Sequence, residues 1–260
     1  MSGLKITVLG CGSSFGVPLF HNIWGKCDPN NPKNRRTRPS ILVQKNGKNL
    51  LIDTSPDLKQ QFLDNKINNI DAVLYTHEHA DHTHGINELR SINLINKNII
   101  PCYGNEETMR KILNSFNYLF ENTVNSYYPA ILSSHIYPSN EFDLFGINIK
   151  LIQQNHGDID SIGFIFDNKI AYNLDVKRFY NQDEYFKNID NIDHWIVGCL
   201  RIDPHVSHAS LSEVNEWLNA VKPKKAYLSH MTAHLDFDET SRYLNNVNYL
   251  PAYDGQIIDI

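Results

Sequence analysis

Between Tyr75 and Gly85 the chain reads YTHEHADHTHG, four histidines and two carboxylates in eleven positions. Imidazole and carboxylate together suit a borderline divalent ion such as zinc, manganese or iron. In an extended segment His77, His79 and Asp81 alternate onto one side and His82 points elsewhere. Such a cluster can hold an ion but cannot complete its coordination, so further ligands must come from distant parts of the chain. Three candidates each follow an apolar run: His156 after LIQQN, Asp175 after IAYNL and His230 after KAYLS. Each alone reads equally well as a strand-end group bonded to a loop. Beside the histidine cluster, the three together point to a metal site.

The elements that must position these residues are legible in the pattern. KITVLG is a first strand. SILVQKNGKNLLIDTS is a hairpin turning at Asn46-Gly47. SPDLKQQFLDNK predicts a helix capped by Ser55, with Pro56 at its first position and Leu58, Phe62 and Leu63 on its apolar face. DAVLYT is a short buried strand leading into the cluster. GINELRSI predicts a short helix, NIIPCYG a strand and EETMRKILNSFNYLF an amphipathic helix with acidic residues at its start. From Ser133 to Asp175 short strands dominate, ending in a hairpin that turns at Asp167-Asn168. The last third alternates strand and helix. Two mixed sheets packed face to face with helices outside satisfy this order, over 1–260 as one domain. The polar candidates fall at strand ends, where functional groups on such scaffolds tend to lie.

Composition narrows the partners. With 24 basic and 29 acidic residues, the net charge of −5 gives no electrostatic reason to expect nucleic acid or an anionic membrane. Cys11, Cys27, Cys102 and Cys199 are far apart and read as reduced thiols of a cytoplasmic protein. No stretch approaches a membrane span.

THEHADH followed by those three partners resembles the metallo-β-lactamase superfamily, whose signature is His-x-His-x-Asp-His. The similarity runs from TVLGCGSSFGVP to AYDGQIIDI. More narrowly the chain resembles the phosphodiesterase branch typified by phosphoribosyl cyclic phosphate phosphodiesterase, with ribonuclease Z as a cousin. The resemblance implies an α/β fold, an αββα four-layer sandwich, with two divalent metal ions per chain, Zn or Mn. It places His77, His79 and His156 on the first ion, Asp81, His82 and His230 on the second, and Asp175 between them. It also implies Asp81 and His208 as catalytic residues, and a homodimer as one candidate assembly.

Two ions about 3.5–4 Å apart can share and activate one hydroxide and clamp an oxygen of the electrophile. That chemistry serves a phosphodiester, a thioester or a lactam. Two features favour phosphorus. Lactam-hydrolysing members commonly place a different, non-bridging ligand where this chain has Asp175, although thioesterases share the aspartate. His208, in HVSHASLSEVNEW, matches a family histidine that contacts phosphate and protonates the leaving oxygen. It also directly precedes a capping box of Ser210 and Glu213, a structural reason for its position; His205 is the alternative acid. Ribonuclease Z members carry a long arm between the third histidine and the bridging aspartate, and here only 18 residues, read as a hairpin, separate His156 from Asp175. The expectation is a hydrolase of a small phosphodiester, a cyclic phosphate among the candidates. A thioester or acyl hydrolase, and a non-catalytic metal-containing carrier, are the rivals.

The segment HNIWGKCDPNNPKNRRTRPS departs from that branch. The corresponding family segment carries a cysteine cluster for a structural zinc, whereas here Cys27 stands with only His21 and Asp28 nearby, short of a four-ligand set. Lys33, Arg35, Arg36 and Arg38 are expected on a solvated loop, with contact of one of them to a substrate phosphate or to the residues around the metal ligands the alternative. Asp53, at the end of LLID, is expected to orient a metal-bound histidine. His84 and His234 are expected outside the ligand set, His135 and His194 as structural residues, and Cys199 in the core. Substrate choice is expected from loops 17–39 and 121–135.

Overall fold

The computed structural model describes residues 3–121 and 129–260; residues 122–128 of the loop 121–135, to which substrate choice was assigned, therefore lie outside the described residues. The first strands are β1 (Lys5–Gly10), β2 (Ser40–Lys45), β3 (Lys48–Ile52), β4 (Ala72–Leu74), β5 (Ile100–Gly104) and β6 (Leu132–Ile136). Next come β7 (Glu141–Leu144), β8 (Ile147–His156), β9 (Ile159–Phe166), β10 (Ile170–Asn173), β11 (Arg178–Phe179), β12 (His194–Gly198), β13 (Lys225–Ser229), β14 (Tyr249–Pro251) and β15 (Ile257–Asp259). Among the described residues they form two mixed sheets. One has the order β15-β1-β2-β3-β4-β5-β6. The other has the order β11-β8-β9-β10-β12-β13-β14, with β7 added beside β8. The helices are α1 (Leu58–Asp64), α2 (Ala80–Thr83), α3 (Leu89–Asn96), α4 (Glu106–Phe116), α5 (Gln182–Asn188), α6 (Leu211–Val221) and α7 (Phe237–Leu244).

Strand alternation explains the layering. Ile6, Val8, Ile41, Val43, Leu50, Ile52, Ala72 and Leu74 face the second sheet and pack with Ile149, Phe164, Phe166 and Trp195. Their neighbours Leu9, Leu42, Leu51, Val73 and Tyr75 face the other way, onto Leu58, Phe62, Leu89, Ile92, Met109 and Ile112 of the outer helices. A sheet covered on both faces has apolar residues at every position, which is why these runs read as continuous rather than alternating. Val214, Trp217, Leu218 and Val221 bring α6 onto the other flank. The result is the αββα sandwich.

β3, β4, β5 and β6 are parallel to one another, and so are β10, β12, β13 and β14. Within each parallel set the C-terminal strand ends line one edge, where sites form in open α/β sheets. β6, read from the sequence with the later strands, pairs instead with β5 and completes the first sheet.

Local details differ from expectation. The first helix begins at Leu58, because the Ser55 hydroxyl accepts from the Asp57 amide and Asp57 is drawn into a two-pronged pair with Arg38. Leu63, expected on the apolar face, is 64% exposed. Asp81 does not continue an extended alternation, since Ala80–Thr83 forms the helical turn α2 with the Thr83 hydroxyl donating to the His79 carbonyl at 2.9 Å. That turn carries Asp81 and His82 toward His230.

Gly85 closes this turn where a Cβ would lie 1.8 Å from the Ser55 carbonyl oxygen. Gly85→Ala must therefore push apart the 53–55 and 82–85 segments. It should cost at least about 2 kcal/mol, as overpacking against fixed backbone does. Thermal unfolding of the variant against wild type measures this.

Candidate metal centre

The strand ends deliver the ligand-type groups to one place. His156 is the last residue of β8, Asp175 lies two residues past β10, and His230 directly follows β13. His77 and His79 leave β4, and Asp81 and His82 follow on α2. His77, His79 and His156 each offer a nitrogen within 4.8 Å of the others, and so do the ligand atoms of Asp81, His82 and His230. Asp175 sits between the sets. Its Oδ2 lies 2.5 Å from His82 Nε2 and 3.7 Å from His77 Nε2, and its Oδ1 lies 3.1 Å from His230 Nε2. The two groupings implied by the resemblance are thus brought together in space. His208 Nδ1 is 3.2 Å from Asp175 Oδ1, and its ring stacks on His230 with centroids 4.9 Å apart.

The chemistry of these contacts fits divalent ions. Both Asp175 oxygens, His82 Nε2 and both His230 nitrogens are buried, yet none is oriented to make a hydrogen bond. Short distances without alignment mean that the atoms approach one another without facing one another. Buried polar groups are otherwise almost always hydrogen-bonded, so the set as it stands is incomplete. Three imidazoles on one side, and two imidazoles with two carboxylates on the other, are donor sets that zinc or manganese accepts.

Two of the imidazoles are already in the neutral form that ligation needs. His82, buried but facing Asp175, Asp81 and Asp53, is instead held above the ordinary histidine value and would have to give up its proton to an ion. Burial pushes the His77 imidazole well down and that of His156 to about 4, so both are neutral at neutral pH, as ligands must be. Burial opposes charge on Asp175 and Asp81 as well. Nearby histidines nonetheless hold both carboxyls well below the usual range, His230 and His82 around Asp175 and His82 beside Asp81.

Residues around the set fix its orientation. Asp53 is fully buried and its Oδ2 lies 2.7 Å from His82 Nδ1, the contact expected of it. Thr76 donates to the same carboxylate through its amide and hydroxyl, both at 2.8 Å, and its hydroxyl is 2.9 Å from His77 Nδ1. The Ser207 carbonyl lies 2.8 Å from His156 Nδ1. Glu78 holds the motif to α4 through Lys111 at 2.5 Å. Sequence reasoning missed Thr76, Ser207 and Glu78; only the hydroxyl of Thr76, next to the first histidine, offered a signal there. Asp53, Asp175 and His230 all have left-handed backbones, with φ of 62, 50 and 59°.

Other candidates fall outside the cluster. His84 and His234 are exposed, His135 is exposed beside Tyr103, and His194 is buried against Tyr227. His205 is half-buried with its ring 5.2 Å from that of His208. Cys199 is in the core. Among the described residues, no grouping close enough to share an ion includes His21, Cys27 or Asp28. The solvated-loop expectation fails for Arg36, which is 1% exposed, because its guanidinium turns inward to the Thr232 carbonyl. Arg38 pairs with Asp57, Lys33 lies over Phe237 and Arg35 over Trp24. A cleft of about 1040 Å³ opens beside His79 and His156, bordered by Lys177, Arg178, Glu213 and Trp217.

Residues 48–231 match the profile of the Beta-lactamase superfamily domain. With the His-x-His-x-Asp-His cluster in place between two sheets, the assignment is settled. The chain belongs to the metallo-β-lactamase superfamily. Members of this superfamily are metal-dependent hydrolases. A solved structure described as a new diphosphatase from the PhnP family is 31% identical, with a TM-score of 0.87, covering 99% of this chain and 97% of that one. An anti-Pycsar protein, Apyc1, of Paenibacillus harenae is 26% identical over 90% of this chain and 92% of its own length. An octanoyltransferase of Porphyromonas gingivalis is 26% identical over 97% of this chain, but the chain spans only 51% of that protein's length. Among the described residues no helix is long and apolar enough to cross a membrane.

Asp53→Ala should weaken metal uptake by about 10- to 100-fold, because His82 loses the partner that holds its ring and tautomer. Competition with a chromogenic chelator reads this directly. Adding zinc to metal-stripped wild type should raise the melting temperature, with the gain increasing with free metal, since ions that bind the folded chain stabilise it by mass action.

Proposed function

We propose that this protein is a dinuclear metal-dependent phosphodiesterase acting on a small diester. The observation that carries the reading is Asp175, buried between two ligand sets with both oxygens unbonded and His208 against it. When bound, two divalent ions would supply an activated water and a clamp on a non-bridging oxygen. His77, His79 and His156 would hold the first ion, and Asp81, His82 and His230 the second, with Asp175 shared.

The chain's own residues do the rest. His208 keeps 14% side-chain exposure while its neighbours His82 and His230 are closed off, so it alone of these three can meet a substrate from the solvent side. With Nδ1 3.2 Å from Asp175 Oδ1, the Nε2 side of the ring is the one we assign to the departing alkoxide. Burial lowers the affinity of His208 for a proton while Asp175 raises it, and the balance falls below the ordinary histidine value. Only its protonated fraction can donate to a leaving oxygen, so turnover that depends on this proton should fall as pH rises through neutrality. The cleft beside His79 accommodates the ester group. A small substrate rather than nucleic acid suits the net charge of −5 and the tight β9–β10 hairpin between His156 and Asp175.

The octanoyltransferase relative favours a second reading, acyl or thioester hydrolysis on the same ions. Hydrolysis of bis(p-nitrophenyl) phosphate by zinc- or manganese-loaded protein separates the two, run beside an octanoyl thioester. We expect diester turnover, and a fall in kcat of about 100-fold or more for His208→Ala with metal content unchanged. Thioester turnover without diester turnover would overturn the phosphodiesterase reading.

A further inference from the structure

Arg36 is among the largest fully buried side chains of the protein, and among the described residues it forms no ion pair with a carboxylate. Its Nη1 donates to the Thr232 carbonyl at 3.4 Å and lies 4.0 Å from Cys27 Sγ, and its Nη2 donates to Asn34 Oδ1 at 3.2 Å. Its Nε has no partner. A buried cation without a paired anion is costly and contributes little to folding by itself. Its position suggests what the cost supports, because Thr232 is two residues past His230.

The segment after His230 is held on several sides. Residues 25–34 grip it through Lys26 N–H to the Ala233 carbonyl at 2.8 Å, Asp28 N–H to Asp236 Oδ2 at 3.1 Å and Asn34 Nδ2 to the same oxygen at 2.6 Å. Asn34 Oδ1 in turn accepts the Phe237 amide at 2.8 Å. Gly25, at φ +59°, comes so close that a Cβ would be 2.5 Å from the Ala233 oxygen. On the other side, the Met231 amide and carbonyl bond to Cys11 and Ser13. His230 itself takes a left-handed backbone at φ 59°, a conformation that its own sequence does not favour. That strain must be maintained by what holds the chain after it.

We propose that Arg36 is a positioning residue for His230. Through the Thr232 carbonyl it fixes the turn that aims this imidazole, so the affinity of the second ion depends on a side chain outside the ligand set, while that of the first does not. The inference rests on the two-ion reading above. It adds that the 25–36 loop is a component of one of the two sites.

Zinc competition titrations on full-length protein test this without any substrate. Wild type should take up two equivalents. Arg36→Met should weaken one of them by about 10- to 100-fold, the usual loss when an outer partner of a ligand is removed, and leave the other unchanged. Arg36→Lys should restore part of the loss. In a His230→Ala background Arg36→Met should add nothing further, whereas with His77→Ala the losses should add, because only the first pair shares a function. Unchanged affinities in Arg36→Met, equal weakening of both equivalents, or a full additional loss on His230→Ala would each overturn the proposal. If Arg36→Met fails to fold, Arg36→Lys carries the same comparison, and equal weakening of both ions there overturns it. A wild type that binds no second equivalent removes the two-ion reading itself, an outcome distinct from a failure of Arg36 alone.

Discussion

The structure turns on one electrostatic problem. Asp175 is fully buried, and so are His77, His82 and His230 around it. Removing that many polar and charged groups from water is expensive unless each finds a partner. The protein supplies outer partners with care, through Asp53, Thr76 and the Ser207 carbonyl, and leaves both Asp175 oxygens and the inner nitrogens of His82 and His230 without a hydrogen bond. A site built to fold around its own hydrogen bonds would show the reverse. The two sheets exist in this form because they can bring strand ends with different ligand types to one edge and bury them behind apolar layers on both sides.

Backbone conformation tells the same story. Three site residues that are not glycine turn left-handed just past strands, Asp53 and His230 directly after theirs and Asp175 two residues on. Aspartate and histidine are among the residues that tolerate this region, though at a cost. A regular strand would carry each side chain on across the sheet, and the abrupt turn instead points it along the edge. Packing of the strands before these residues is dense, with Ile52, Ile170, Ala171 and Leu228 all without measurable exposure. That rigid base is what can absorb the strain.

How much was legible in the sequence follows from which interactions are local. The strands, the Asn46 turn and the capping box of Ser210 and Glu213 arise from neighbouring residues and were readable. The histidine cluster announced itself by density. His156, Asp175 and His230 were visible only as polar residues after apolar runs, and their grouping came from the resemblance. What could not be read depends on contacts across long separations: the α2 turn that breaks the His77–His79–Asp81 alternation, held by Thr54 binding the His82 carbonyl, and the burial of Arg36 in a segment rich in charge. Composition marks KNRRTRPS as solvated, and a carbonyl 196 residues away decides otherwise for one of its arginines.

The choice between phosphorus and carbon as the electrophile lies outside the metal ligands, since the same donor set serves both. It lies in His208 and in what borders the cleft. A thioester leaving group departs as a thiolate and needs little protonation, whereas an alkoxide leaving a phosphodiester gains most from an acid placed at the departing oxygen. An imidazole set against Asp175, stacked on His230 and still open to solvent on its outer side, is the kind of group that the second reaction requires and the first can do without. Lys177 and Arg178 border the cleft beside His79 and His156, with Lys177 paired to Glu213 of the helix that His208 precedes. Through that pair and the Ser210 cap, the segment holding His208 is tied to the wall of the cleft.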